Sequence, residues 1–378
     1  MLIQGARILN DHFEWIDGDL RIKDDHIEAI GHLQPLPKED IFPAEGKKLL
    51  PGLIDVHMHG YYGISCTAQT VEEVKKLGKE LAKTGVTGYA AGIASSLDEK
   101  AFSAIRNNVA ASQEWSIDCG AEILGIHMEG PFLNPVKKGA MNEKAIVPPS
   151  VDTMQKYLDL SEGMIRIMTI APEMPGAEKV IRLGTNHHVK MSIGHTNATY
   201  EQTREAFTWG ISRATHTFNA MPSLNHRQSG VLGAVLNDDS IECELIGDLV
   251  HVAPEVCRIL IRQKGTDHIT LISDSCELGG LSDEMIPPGL PYVIKDAAYL
   301  SNGTLCGSIC TVTQCVKNMI SLGIPMNEAV QMGSINPARD LGIQDQYGSI
   351  REGKKASLIL ADDDLKIYAV WICGQPFI

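Results

Sequence analysis

Long apolar runs are missing from this chain, and none approaches the ~20 residues a membrane-spanning helix requires. The first residues, MLIQGARILN, lack the basic, apolar and small-residue regions of a secretory leader. A basic excess is missing too. Lys and Arg number 33 against 47 Asp and Glu, for a formal net charge of −14, which argues against nucleic acid and anionic membrane surfaces as partners. Any anionic small molecule must therefore be met by local basic groups. Nine cysteines form no C-x-x-C pair, so they read as free thiols in a reducing cytoplasm, with Cys306, Cys310 and Cys315 assigned to packing. No internal repeat, low-complexity tract or disordered tail is apparent. What remains is an ordinary globular composition, 44% hydrophobic and 21% charged. At 378 residues the chain can hold one large barrel and a smaller unit.

The two ends resemble each other. Residues 1 to about 50 alternate in short segments, with turn signals at Asp17-Gly18 and Asp24-Asp25, and read as β-hairpins. Residues 345–378 repeat that texture. Each piece alone is too small to be stable, so residues 1–50 and 345–378 are expected to form one small β-sandwich. Between them, across 51–344, strand and helix patterns alternate about eight times. The strand candidates are 53–59, 86–93, 123–129, 165–171, 189–195, 211–216, 241–248 and 269–274. Helices are expected over 70–84, stopping at Gly85, and over 199–209, where Thr199 and Gln202 have capping-box spacing and Gly210 ends the run. Segments 308–323 and 326–340 supply the last helices. The class is α/β, and eight units in about 300 residues is the arithmetic of a (β/α)8 barrel.

Five of these strand-like runs end in an imidazole or carboxylate followed by Gly, Asn, Thr or Ser: GLIDVHMHG, EILGIHMEG, VKMSIGHTN, SRATHTFN and HITLISDS. They contribute His57 and His59, Glu129, His195, His216 and Asp274. A parallel barrel builds its active site from the C-terminal ends of its strands, so the pattern is the one a barrel enzyme needs. His57 and His59 are two apart and share a strand face. One histidine at a strand end is more often structural, but five independent ends of ligand type point to a divalent metal site, holding one ion or two bridged by Glu129. The mixed nitrogen and oxygen donors suit Zn, Fe or Mn alike. Such a site makes hydroxide available near neutral pH, and Asp274 is the candidate general base. His127, on the face of Glu129, is assigned a supporting inward position.

PGLIDVHMHG followed by GIHMEGPF resembles the amidohydrolase superfamily. HMEGPFLNPVKKGA, GHTNAT, ATHTFNAM, SDS and NPAR-x-LG resemble, over the whole chain, its N-acetylglucosamine-6-phosphate deacetylase family. The resemblance implies an amidohydrolase-type barrel and hydrolysis of an acetamide to glucosamine 6-phosphate and acetate. It implies metal ligation by Glu129, His195 and His216, with a second ion at His57 and His59, and Asp274 as acid/base. It also implies substrate contacts at Asn219, Ala220 and His251, at Ala140 and Met141, and at Leu305, Cys306 and Gly307. Arg227 would reach the phosphate from the neighbouring subunit of a homodimer.

Three positions depart from that pattern. Where K-K-G-x-H carries a histidine that polarises the acetyl carbonyl, this chain has Met141, which cannot donate a hydrogen bond. D-G-x-H reads Asp248-Leu249-Val250-His251, and Leu249 is expected to narrow the sugar pocket. HGYYGISC lacks an acidic residue usual after the first strand. These differences leave open a related substrate, such as N-acetylgalactosamine 6-phosphate or another acyl-amine. They also leave a catalytically silent binding barrel as a further alternative.

Overall fold

The computed structural model describes residues 1–281, 285 and 292–378. Eight parallel strands run in chain order: β1 (Leu53–Met58), β2 (Val86–Ala94), β3 (Glu122–Glu129), β4 (Ile165–Ile170), β5 (Lys190–Ile193), β6 (Ile211–Ala214), β7 (Glu242–Ile246) and β8 (Ile269–Ile272). Each pairs with its sequence neighbour from β1 round to β8. Parallel strands covered on both faces read as nearly continuous apolar runs, and β8, ITLI, is buried at every residue. The ring is joined beyond the strand ends by short backbone bonds: Asp274 N to His57 O (2.9 Å), His59 N to Ser275 O (2.7 Å) and Gly60 N to Ser275 O (3.1 Å). Lower on this seam the Asp55 carboxylate accepts from Ser273 N at 3.4 Å.

The helices follow the sequence closely. Val71–Ala82 starts at a Thr70/Glu73 capping box and buries Val74, Leu77 and Leu81. Tyr200–Trp209 starts at the expected Thr199/Gln202 box. The helix expected over 308–323 begins only at Val312, because Thr311 caps it. The stretch 326–340 is two helices, Met326–Met332 and Ile335–Asp340. They break at Gly333, whose carbonyl receives Ile54 N at 2.9 Å.

Both chain ends build one sheet. Lys48–Pro51 pairs antiparallel with Leu358–Ala361, joining the N-terminal strands Leu2–Leu9, Trp15–Lys23 and His26–Gly31 to Ile367–Ile372. Its strands obey a two-residue period with two destinations. Leu49, Leu358, Leu360, Ala369 and Trp371 enter a core of their own. Leu50, Ile359, Ala361, Val370 and Ile372 join the barrel core. That double burial makes these strands apolar throughout and fixes the sheet on the barrel. The Asp24-Asp25 turn links two strands as expected, but Asp17-Gly18 lies inside Trp15–Lys23 rather than at a turn. Gly18 stands opposite Ala6, beside an irregular register, and its Cβ position would lie 3.1 Å from Gly31 O.

Candidate metal centre and pocket

The strand ends converge. Glu129 closes β3 and is buried among four imidazoles. Its Oε1 lies 3.0 Å from His195 Nε2, 3.0 Å from His216 Nε2 and 3.5 Å from His57 Nε2. Its Oε2 lies 3.1 Å from His59 Nε2. Asp274 Oδ1 faces His59 Nε2 at 3.4 Å and His57 Nε2 at 3.6 Å. All six residues singled out at the strand ends therefore meet in one cluster.

The local backbone aims them. Just past their strands, His195, His216 and Asp274 take φ values of 45°, 28° and 48°. Left-handed backbone is uncommon outside glycine, although His and Asp are enriched there. It turns each side chain from the strand direction onto the barrel axis. Strain of this kind persists only where surrounding structure holds it.

Hydrogen bonds assign the ring nitrogens. His195 Nδ1 lies 2.7 Å from Lys137 O, and His59 Nδ1 lies 3.1 Å from Gly92 O. A carbonyl only accepts, so each Nδ1 carries a proton and each Nε2 is the nitrogen turned to the cluster. His59 reaches that carbonyl because residue 92 is glycine: a Cβ there would stand 2.4 Å from Met58 O and 3.1 Å from His59 Nδ1. His57 Nδ1 meets the Glu244 carboxylate at 2.8 Å, and His57 Nε2 has no hydrogen-bond partner among the described residues.

Nε2 of His195 and Nε2 of His59 thus face a carboxylate, an arrangement that repels unless a cation, a proton or a metal ion, lies between. The mutual spacing of His195 Nε2, His216 Nε2 and Glu129 Oε1, 3.0–3.1 Å, is close to the roughly 3.3 Å expected of tetrahedral donors about 2.0 Å from an ion. Both observations fit a divalent metal. Three donor groups emerge among the described residues: Glu129 with His195 and His216, Glu129 with His57 and His59, and, beneath them, His57 with His127 and Glu244.

Charge completes the description. Burial lowers the His59 pKa, but hydrogen bonds and charge from Asp274 and Glu129 outweigh it and raise the group to about 10. Burial would raise Asp274, yet the His59 hydrogen bond and the charges of His57 and His59 hold it below the usual carboxylate range. The cluster demands positive charge, and Asp274 stays ionised.

Above it lies a pocket of about 380 Å³, lined among others by Ala140, Met141, Asn219, Ala220, His251, Leu305, Cys306 and Gly307. That volume falls in the range of small-molecule sites. Its described lining has carboxylates from Glu129, Asp274 and Glu277, imidazoles from His59, His195, His216 and His251, and no lysine or arginine. Asp248 fixes His251, accepting from its Nδ1 at 2.6 Å. The pocket corrects one expectation, that for Leu249. Leu249, at φ 64°, packs against the barrel core and does not line the cavity, so it does not narrow the pocket directly. Arg227 is exposed and outside the pocket of its own chain, and its backbone N–H is held by Asn225. His127 does face inward, but it bonds Val56 O and Thr169 Oγ1 and packs on the His57 ring at 4.3 Å rather than bonding Glu129.

Sequence reasoning missed Glu244, Arg213 and Asp340 beneath the cluster, and Ser95, Cys276, Glu277 and Leu278 in the pocket wall. A signal existed for the first: ECELI places a charged side chain inside an otherwise buried strand.

Comparison with known proteins agrees with this architecture. Residues 49–376 match the amidohydrolase family. The chain is 33% identical to an N-acetylglucosamine-6-phosphate deacetylase of Lysinibacillus sphaericus, over 99% of this chain and 97% of that one. It is 30% identical to an N-acetylgalactosamine-6-phosphate deacetylase of Escherichia coli O157:H7, over 99% and 98%. Among solved structures it superposes on a variant N-acetyl-D-glucosamine-6-phosphate deacetylase of Mycobacterium smegmatis, in complex with N-acetyl-D-glucosamine-6-phosphate, with a TM-score of 0.91 and 30% identity. That match covers 100% of this chain and 99% of the other.

Proposed function

The chain belongs to the amidohydrolase family, and from that premise we propose that it hydrolyses the acetamide of N-acetylglucosamine 6-phosphate to glucosamine 6-phosphate and acetate. The observation that carries the reading is the meeting of Glu129, His195, His216, His57, His59 and Asp274 beneath a sugar-sized pocket. Glu129, His195 and His216 would hold one divalent ion, and His57 and His59 with Glu129 would hold a second. When bound, such an ion polarises the acyl oxygen and acidifies a water molecule. Zn, Fe and Mn all suit the donors.

The protein's own groups do the rest. Asp274, ionised beside His59, accepts the proton of the attacking water at Oδ1 and returns it to the departing nitrogen. The family resemblance implies that the wall at Ala140, Met141, Leu305, Cys306 and Gly307 surrounds the acyl end and sugar ring and that Asn219, Ala220 and His251 contact the sugar phosphate; all of these residues line the pocket. No lysine or arginine lines the described pocket, and the resemblance to the deacetylase family implies that Arg227 of the partner subunit in a homodimer supplies the phosphate's permanent positive charge. Nine free cysteines accord with a cytoplasmic enzyme. No described helix is long and apolar enough to cross a membrane.

A second reading, N-acetylgalactosamine 6-phosphate, is favoured by the E. coli O157:H7 relative. Purified, metal-loaded protein assayed for acetate release from both sugar phosphates and their unphosphorylated forms tests the proposal. Faster turnover of the 6-phosphate of N-acetylglucosamine is expected. Indifference to phosphate, or preference for the galactose isomer, overturns it.

A further inference from the structure

Below the cluster, on β7, one fully buried carboxylate receives four hydrogen bonds. Glu244 Oε1 accepts from Arg213 Nε at 3.1 Å and Nη2 at 2.9 Å. Its Oε2 accepts from His57 Nδ1 at 2.8 Å and from His216 backbone N at 2.8 Å. We propose that Glu244 is a positioning residue for the metal centre: it fixes His57 with the Nε2 lone pair turned to the cluster, and it pins the turn that presents His216. The inference rests on the metal-centre reading above.

Three features carry it beyond a simple core ion pair. First, a carboxylate offers about four acceptor positions, and here all four are used. An amide cannot replace it, because its NH₂ end would face either the Arg213 donors or the protonated Nδ1 of His57. Second, both contacts of Oε2 go to candidate ligands, one from each half of the cluster. His57 enters from β1 and His216 from β6, so one oxygen of β7 ties the two halves together. The His216 contact falls where the backbone is left-handed, a conformation that needs an external hold. Third, the charges do not cancel. Arg213 also pairs with Asp340, which further accepts from Thr270 Oγ1 at 2.6 Å. Two carboxylates thus share one guanidinium, and the surplus negative charge lies against His57, where it makes Nε2 a stronger donor to a cation. A carboxylate hydrogen-bonded to the far nitrogen of a ligand imidazole raises ligand basicity in this way.

The test is metal binding by the full chain, read by chelator competition independently of turnover. For Glu244→Gln, affinity is expected to fall by about 10- to 100-fold, with a smaller melting-temperature gain on metal addition. Arg213→Gln supplies the contrast. It breaks the core ion pair but leaves both Oε2 contacts, so apo stability falls while metal affinity changes less than in Glu244→Gln. Equal loss of affinity in both variants, or none in Glu244→Gln, overturns the inference. Failure of the wild-type chain to bind a divalent ion overturns the metal-centre reading instead. Should either variant fail to fold, side-chain ¹⁵N spectra of the metal-loaded wild type decide: His57 protonated at Nδ1 is expected, and protonation at Nε2 refutes the role.

Discussion

The two halves of the cluster are built differently. Glu129, His195 and His216 come from strands inside the continuous ladder, and their donor atoms crowd to 3.0–3.1 Å. His57, His59 and Asp274 straddle the junction of β1 and β8, and most of their spacings are 3.4–3.6 Å. The first half has the spacing of a closed tetrahedral corner. The second is looser and includes the ionised carboxylate that can move a proton. Tight spacing suits holding an ion, and looser spacing around a base suits admitting water and substrate.

The sharpest way to separate the halves is Asp274→Asn. The variant should keep its metal and bind substrate yet lose about 10²- to 10⁴-fold in kcat. Substantial residual turnover would remove Asp274 from its role. Next, His195→Asn should weaken metal binding by more than about 100-fold, beyond the effect of altering a supporting contact, whereas His59→Asn should cost less. Metal titration of both variants checks the order, and equal losses would erase the proposed distinction. A gain is expected from Met141→His, which restores a donor beside the acyl group. The rate on N-acetylglucosamine 6-phosphate should rise by on the order of 10- to 100-fold, and no rise would mean the wall serves another acyl-amine.

The smallest effect concerns the junction itself. Burial raises the Asp55 pKa to about 6, against hydrogen bonds from Ser273 and His57 that lower it. Its folded-state pKa thus lies above the unfolded value. The stability it contributes is complete below about pH 4 and is lost as pH rises through about 6, on the order of 3 kcal/mol at most. Asp55→Asn should therefore gain on the wild type in apo-protein melting temperature between pH 4 and 8. A pH-independent difference would contradict the assignment.

Most of the barrel was legible because its strands are buried on both faces and stop abruptly at polar residues. ITLI ending at Ser273-Asp274, and KMSI ending before His195, announce both the strand and its chemical tip. The break inside the helical stretch 326–340 was not legible, because local periodicity does not register a carbonyl required elsewhere, here Gly333 O for Ile54 N. Glu244 escaped for a related reason. A glutamate between apolar neighbours looks like a solvent-facing alternation, and only the closed ring reveals that its direction is inward. Leu249 was read from motif position alone, yet its direction was set by a left-handed turn.

The junction has one more consequence. The first and last barrel strands are far apart in sequence and, past their ends, are stitched by only a few backbone bonds around His57, His59, Asp274 and Ser275. An ion held by His57, His59 and Glu129, beside Asp274, would act as a clasp on a bracelet, fastening the place where the circle would otherwise open. Stripping the ion should then speed amide exchange at Asp274 and His59 before it is felt at β4 or β5, so that cofactor loss and unravelling begin at the same point.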